Sequence, residues 1–237
     1  MKPLALLCAL VLLATLHPVA ADELQPFTVR YAWTLKGISA GTSTITLKRL
    51  EGERWSYASH SVARGLFRLI ASGDITQDST MRVTANQVLP EHYRGDDGTR
   101  DTTRDVQVDF DWQSRRVHGV YEDVPVDMAI EPGVHDDMSV QVALMQALLH
   151  GAAPTGFRLV DRNILKDYAY SAAGTADLET PLGRQHTVVY RSQRIGSKSS
   201  TVFWCAPALG FLPIKVERHD GSDKVEWALN IEALTRP

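Results

Sequence analysis

The stretch "FTVRYAWTLKGISAGTSTITL", residues 27–47, decides the fold. Phe27, Val29, Tyr31, Trp33 and Leu35 fall at every second position, with Thr28, Arg30 and Thr34 between them. Side chains two residues apart share one face of a strand, and aromatic and β-branched residues suit a pleated, half-buried surface. Gly37 and Gly41 then bracket a bend, and the alternation resumes at Thr44–Leu47. Two such runs about a tight bend form an antiparallel pair with one face buried and the other in water.

The same reading extends along the chain. Strand-like alternation recurs at Trp55–Val62, around Ile75–Val83, at Val106–Trp112, Arg116–Tyr121, Phe157–Val160, Asp167–Ala172, His186–Tyr190, Val202–Trp204, Leu212–Glu217 and Val225–Ile231. Turn-forming residues separate many of these runs, as at Glu51-Gly-Glu53, Asp96-Asp-Gly98, Pro181-Leu-Gly183 and Asp220-Gly-Ser222. One segment differs. In "HDDMSVQVALMQALLHG", residues 135–151, Met138, Val142, Met145 and Leu149 recur at helical spacing, and Leu148 widens the stripe. Asp136 or Asp137 can cap its start, while Gly151 and Pro154 stop it. A helix over about 136–150 is expected, with Met145 and Leu149 on the sheet and Gln141 and Gln146 toward solvent. "RGLFRLIAS", residues 64–72, is a short apolar segment that suits a helical turn or a loop at a barrel mouth. The expected fold is mainly β: a single, strongly curved antiparallel sheet or open β-barrel of about ten to twelve strands, with one covering α-helix.

The N-terminus specifies a compartment. Lys2, an apolar run from Leu4 to Leu16 and the small residues before Asp22 have the order of a secretory signal peptide over residues 1–21. Residues 22–237 are then one exported β-rich domain in the periplasm. The apolar run is shorter than the roughly 20 residues of a membrane span, and no second run follows. Without residues 1–21 the chain keeps 24 basic and 28 acidic residues, a net charge of −4, and a single cysteine, Cys205. An acidic chain without a basic run has no footprint for nucleic acid.

Chemical motifs are sparse. Cys205 has only Lys215 and His219 near it in sequence, too little to depress a thiol pKa, and reads as a packed small residue. His135-Asp136-Asp137 offers groups that suit divalent ions but sits where capping acids belong. The other histidines, 60, 92, 118, 150, 186 and 219, form no zinc spacing, and "DDGTRD" at 96–101 lacks the pattern of a calcium loop. No nucleophile elbow or glycine-rich phosphate loop is present. The sequence therefore nominates no catalytic, cofactor-binding or metal residue, and an enzyme ranks behind non-catalytic readings.

The succession of an early "RYAWTLKGISAG", a "LPEHYR" strand, the "HDDMS" entry to one helix, "TPLG" and the final "WCAPALGFLPIKVE" resembles the exported bacterial proteins of domain-of-unknown-function family 3108. That resemblance implies export and carries no activity. A curled antiparallel sheet with one helix is also similar, as a fold, to the open barrels of periplasmic lipoprotein carriers, and fold alone does not transfer function. Trp33, Trp55, Trp112, Trp204 and Trp227 suit either a ligand cavity or ordinary sheet core, since alternation fits both a hollow and a filled interior. Two functions follow: a carrier holding a lipid or other apolar envelope ligand in its concavity, or an envelope factor docking a partner protein at a sheet edge.

Overall fold

The computed structural model describes residues 23–69 and 73–237. The expected signal segment, and Ile70–Ser72 of the short apolar segment, lie outside the described residues. Eight strands form the first part of the chain: β1 (Phe27–Leu35), β2 (Ile38–Arg49), β3 (Arg54–Ala63), β4 (Ile75–Val83), β5 (Val88–Asp96), β6 (Val106–Asp111), β7 (Arg116–Tyr121) and β8 (Val124–Ala129). After them come β9 (Val134–His135) and helix α1 (Ser139–Leu149). The remaining strands are β10 (Gly156–Asp161), β11 (Ile164–Thr180), β12 (Gly183–Arg194), β13 (Ser200–Ala206), β14 (Leu212–His219) and β15 (Val225–Thr235).

All 15 strands belong to one sheet, in the order β8-β7-β6-β5-β4-β3-β2-β1-β15-β14-β13-β12-β11-β10-β9. Two meanders meet where β1 pairs with β15, and every pairing is antiparallel except the short one between β9 and β10. The strand count exceeds the ten to twelve expected. Three strands escaped the alternation test, β5, β8 and β9, although the family resemblance marks "LPEHYR" of β5 as a strand. Pro90 interrupts β5 but sits where the register with β4 shifts, so its missing N–H breaks no regular ladder. Pro125 lies in the edge strand β8, the other place a sheet accepts proline. The turn before β8 uses Glu122 and Asp123 at φ 48° and 60°, without the glycine or asparagine that announces such a turn.

β2 also begins earlier than the alternation indicated. Its turn is only Lys36-Gly37, and Gly41 lies within the strand at a register shift opposite Trp33. A Cβ at Gly41 would sit 2.0 Å from the Val62 carbonyl oxygen, so the close approach of β3 demands glycine there.

The two edge strands are consecutive in sequence. Only residues 130–133 separate β8 from β9, with a turn closed by the Val134 N–H on the Glu131 carbonyl. Five peptide steps reach no farther than about 18 Å, so the sheet must curl until its edges nearly meet. Across the seam, the Asp127 N–H donates to Asn163 Oδ1 at 3.1 Å, and Arg162 pairs with Glu122. The architecture is an open barrel whose seam is held by side chains instead of a strand ladder.

Helix α1 lies inside this barrel. Val142 and Met145 join the larger core cluster, drawn mostly from β1–β8 with Val160, Leu212, Ile214 and Ile231 added, whereas Val140, Leu144 and Leu148 pack with Leu159, Tyr170, Phe203 and Cys205. A helix apolar on two opposed faces is a buried element. Gln146 was expected at the solvent face; instead it is 9% exposed, with Nε2 donating to the Thr84 carbonyl at 3.1 Å. Among the described residues no helix is long and apolar enough to cross a membrane.

Met145 is fully buried between α1 and the sheet. Met145→Ala should therefore cost about 2–5 kcal/mol in urea unfolding, the range for a large-to-small core change. A loss below about 0.5 kcal/mol, the scale of a surface substitution, would contradict an internal helix.

Candidate functional site

The helix fills one end of the barrel and leaves a cavity of about 510 Å³ at the other, open to solvent. Its floor is the start of α1, where Asp137, Met138, Val140 and Gln141 line it. Tyr31 and Trp33 of β1, Ile45 of β2, Tyr57 of β3, and Trp227 and Leu229 of β15 supply one apolar wall. Leu159, Tyr170 and Phe203 form a second wall, and Trp227 and Leu229 pack against their cluster. On that second wall Phe157 meets Tyr170 edge-on at 4.8 Å between centroids, and Tyr170 stacks on Phe203 at 6.5 Å.

The space exists because small residues occupy inward positions. Ser43, Ser59 and Ser61 alternate with outward residues on β2 and β3, where a filled core would place larger apolar side chains. They satisfy one another: Ser61 Oγ donates to Ser43 Oγ at 2.8 Å, and Ser43 and Ser59 hydroxyls lie 3.3 Å apart. This pattern was visible in "YASHS", residues 57–61, as serine at every second position on the face that carries Tyr57. Gln77, Ser192, Thr201 and Arg218 add polar groups, and Tyr31 donates to the Pro213 carbonyl at 2.6 Å. A larger groove, about 810 Å³, lies on the outer sheet face, but exposed polar groups such as His60, Asp78 and Arg94 line it.

The acids at the start of α1 divide their roles. Asp136 is the cap: its Oδ1 accepts the Met138 and Ser139 N–H groups at 2.8 and 2.7 Å, and its Oδ2 accepts the Ser79 hydroxyl at 2.8 Å. Burial pushes its pKa up to about 6 against the pull of these hydrogen bonds. Asp137 does not cap. Its Oδ2 accepts the Tyr121 hydroxyl at 2.9 Å, with the Tyr93 hydroxyl at 3.5 Å, and it borders the cavity. Burial raises this carboxyl too, against the two tyrosine hydrogen bonds. His135 bonds neither acid and meets Phe157 edge-on at 5.4 Å, with Nδ1 unpartnered among the described residues. The three residues do not converge on a common point, and the acidic cluster that the fold does form is Asp96, Asp97 and Asp105 at the surface.

Cys205 is 0% exposed, and burial pushes its pKa up to about 12. It packs against the helix as one residue of the core. In the hairpin that follows, Pro207–Leu209 form a 3₁₀ turn, Gly210 takes φ 70°, and Pro213 falls at a register shift opposite Cys205. Of the five tryptophans, Trp33 and Trp227 line the cavity. Trp55 packs in the core beyond it, and Trp204 lies under Lys215 with the ammonium 4.5 Å from its ring.

Burial lowers the His135 pKa from 6.5 to about 4, so the native protein holds it neutral while the unfolded chain protonates near 6.5. Its contribution to stability is complete above that value and is lost as pH falls toward about 4. His135→Phe should gain on the wild type across this window by on the order of 3 kcal/mol. Asp136 titrates there with the opposite sign, but both proteins carry it, so their difference isolates His135. Unfolding measurements in which the two proteins follow parallel pH curves would contradict a neutral buried imidazole.

No curated protein sequence matches the chain. Among solved structures, a β-barrel-like protein of domain of unknown function DUF1849 from Brucella abortus superposes with a TM-score of 0.62 at 10% identity, covering 91% of this chain and 99% of its own. That likeness establishes a shared fold and nothing more. An uncharacterized conserved protein from Thermus thermophilus gives 0.37 at 11% identity, covering 93% of this chain and 83% of its own. A domain from Vibrio parahaemolyticus named for outer membrane lipoprotein sorting gives 0.30 at 10% identity, covering 90% and 85%. The family model described as "Protein of unknown function (DUF3108)" matches residues 26–226, and the chain belongs to that family.

Proposed function

We propose that this protein is a non-catalytic binding or carrier protein of the bacterial cell envelope, holding an apolar or lipid-like moiety in the cavity of its open barrel. The observation that carries this reading is the cavity of about 510 Å³ between Trp33, Tyr57, Phe203 and Trp227. Sites for small molecules are concave, mostly apolar, largely pre-formed and about 300–1,000 Å³ in volume. Burying apolar surface there stabilises a bound chain by about 25 cal/mol for each Å² removed from water. The order of residues 1–21 supports export to the periplasm.

Docking of a partner protein at a sheet edge has weaker support. The exposed edge of β8 carries Pro125, and its Asp127 N–H is already taken by Asn163. Both features oppose strand addition.

The carrier reading predicts saturable binding of a fluorescent fatty acyl probe with an uncharged head. Ser61 stands on the cavity wall and is only half-buried, so Ser61→Phe should fill the space and weaken probe binding by about tenfold or more while leaving the fold intact. Absence of saturable binding by the wild-type protein would refute the carrier reading.

A further inference from the structure

We propose that the cavity selects an amphiphile with a cationic amine head, whose ammonium group pairs with Asp137 while its apolar body lies against the aromatic walls. This inference rests on the cavity being an amphiphile site. Among the described residues lining it, two carry formal charge, Asp137 and Arg218. Asp137 is the one on the floor, beside Met138 and Val140 at the start of α1.

Its carboxylate is incompletely satisfied. Both tyrosine hydroxyls address Oδ2, and among the described residues no donor lies within hydrogen-bond distance of Oδ1. Asp137 is only partly buried, and it lines the cavity. The cation whose charge acts most on it, Lys166, favours the ionised carboxylate but is already engaged elsewhere. Lys166 is bonded to Asp161, and Arg162 pairs with both Asp161 and Glu122. That quartet is neutral as a whole and gives Asp137 no salt bridge of its own. A partly buried carboxylate with no ion pair of its own is unfavourable, and burial raises its pKa against the two tyrosine hydrogen bonds and the charge of Lys166. An ammonium group at Oδ1 would supply both the missing charge and the missing donor.

Arg218 does not compete for this role. Its Nη1 donates to Thr201 Oγ1 at 3.2 Å and its Nε lies 3.9 Å from Glu226, so the guanidinium already has an acceptor and a carboxylate beside it. An anionic head at the floor would instead face Asp137 directly.

Three probes with the same tail separate the possibilities: dodecylamine, dodecanol and dodecanoate, each titrated below its micelle concentration by calorimetry. The wild-type protein should bind the amine at least about tenfold more tightly than the alcohol, with dodecanoate weakest, and Asp137→Asn should abolish the amine's advantage without changing dodecanol binding. Arg218→Gln should retain it. Equal binding of amine and alcohol by the wild type would overturn the headgroup assignment and leave the carrier reading standing. An amine preference that survives Asp137→Asn would likewise overturn it. Failure of all three tails to bind would overturn both. Because Asp137→Asn can disturb the helix start, a second readout uses the wild type alone. Nuclear Overhauser contacts from the methylene beside the amine to Met138 and the Tyr121 ring support the assignment, and contacts only to wall residues such as Trp227 contradict it.

Discussion

Residues 130–133 impose the constraint on which the rest of the structure depends. They join the two edge strands of a 15-stranded sheet, and so short a link forces strands at opposite ends of the hydrogen-bonded order to lie close together. The native right-handed twist of strands makes such curling accessible, and register shifts in β1, β4, β13 and β14 let the ladder bend where it must. Once the sheet is curled, inward side chains from every strand face one enclosed volume. The seam needs no ladder, because Asn163 and Arg162 reach across to Asp127 and Glu122.

Enclosure raises the question of what fills the volume. Helix α1 answers it at one end, with large apolar residues on two opposed faces and its polar Gln146 tied to Thr84. At the other end the sequence supplies Ser43, Ser59 and Ser61, which are too small to meet the opposite wall. Their hydroxyls bond among themselves, so the inward polar groups are satisfied without closing the space. Outward residues serve a different purpose. Cross-strand pairs such as Arg30–Glu232, Arg54–Glu91 and Arg116–Asp127 cover the outer face, each exposed pair contributing little to stability.

The strand pattern was largely legible because a half-buried strand writes its period directly into the sequence, as Phe27, Val29 and Tyr31 do. Alternation in β5 and β8 was obscured by Pro90 and Pro125, residues that lower strand propensity yet are tolerated at a register shift or an edge, and only the family resemblance marked β5. β9 is two residues long and has no period to read. The helix was legible, but its burial was not. Gln141 and Gln146 looked like a wet face because nothing local reveals that Thr84, 62 residues away, provides a carbonyl for Gln146. The cavity was hidden for a related reason: Trp33 and Trp227 alternate in the same way whether the space before them is full or empty. The serine alternation at 57–61 was the available sign, legible only once Tyr57 is known to face inward.

The central claim is that the barrel binds an amphiphile at the end left open by α1. Tryptophan quenching tests it most directly, since Trp33 and Trp227 line the cavity while Trp55, Trp112 and Trp204 do not. In variants that each retain one tryptophan, a brominated long-chain alcohol should quench Trp33 and Trp227 saturably and leave the other three unaffected. Quenching confined to Trp55, Trp112 or Trp204, or rising equally at all five without saturation, would contradict the claim.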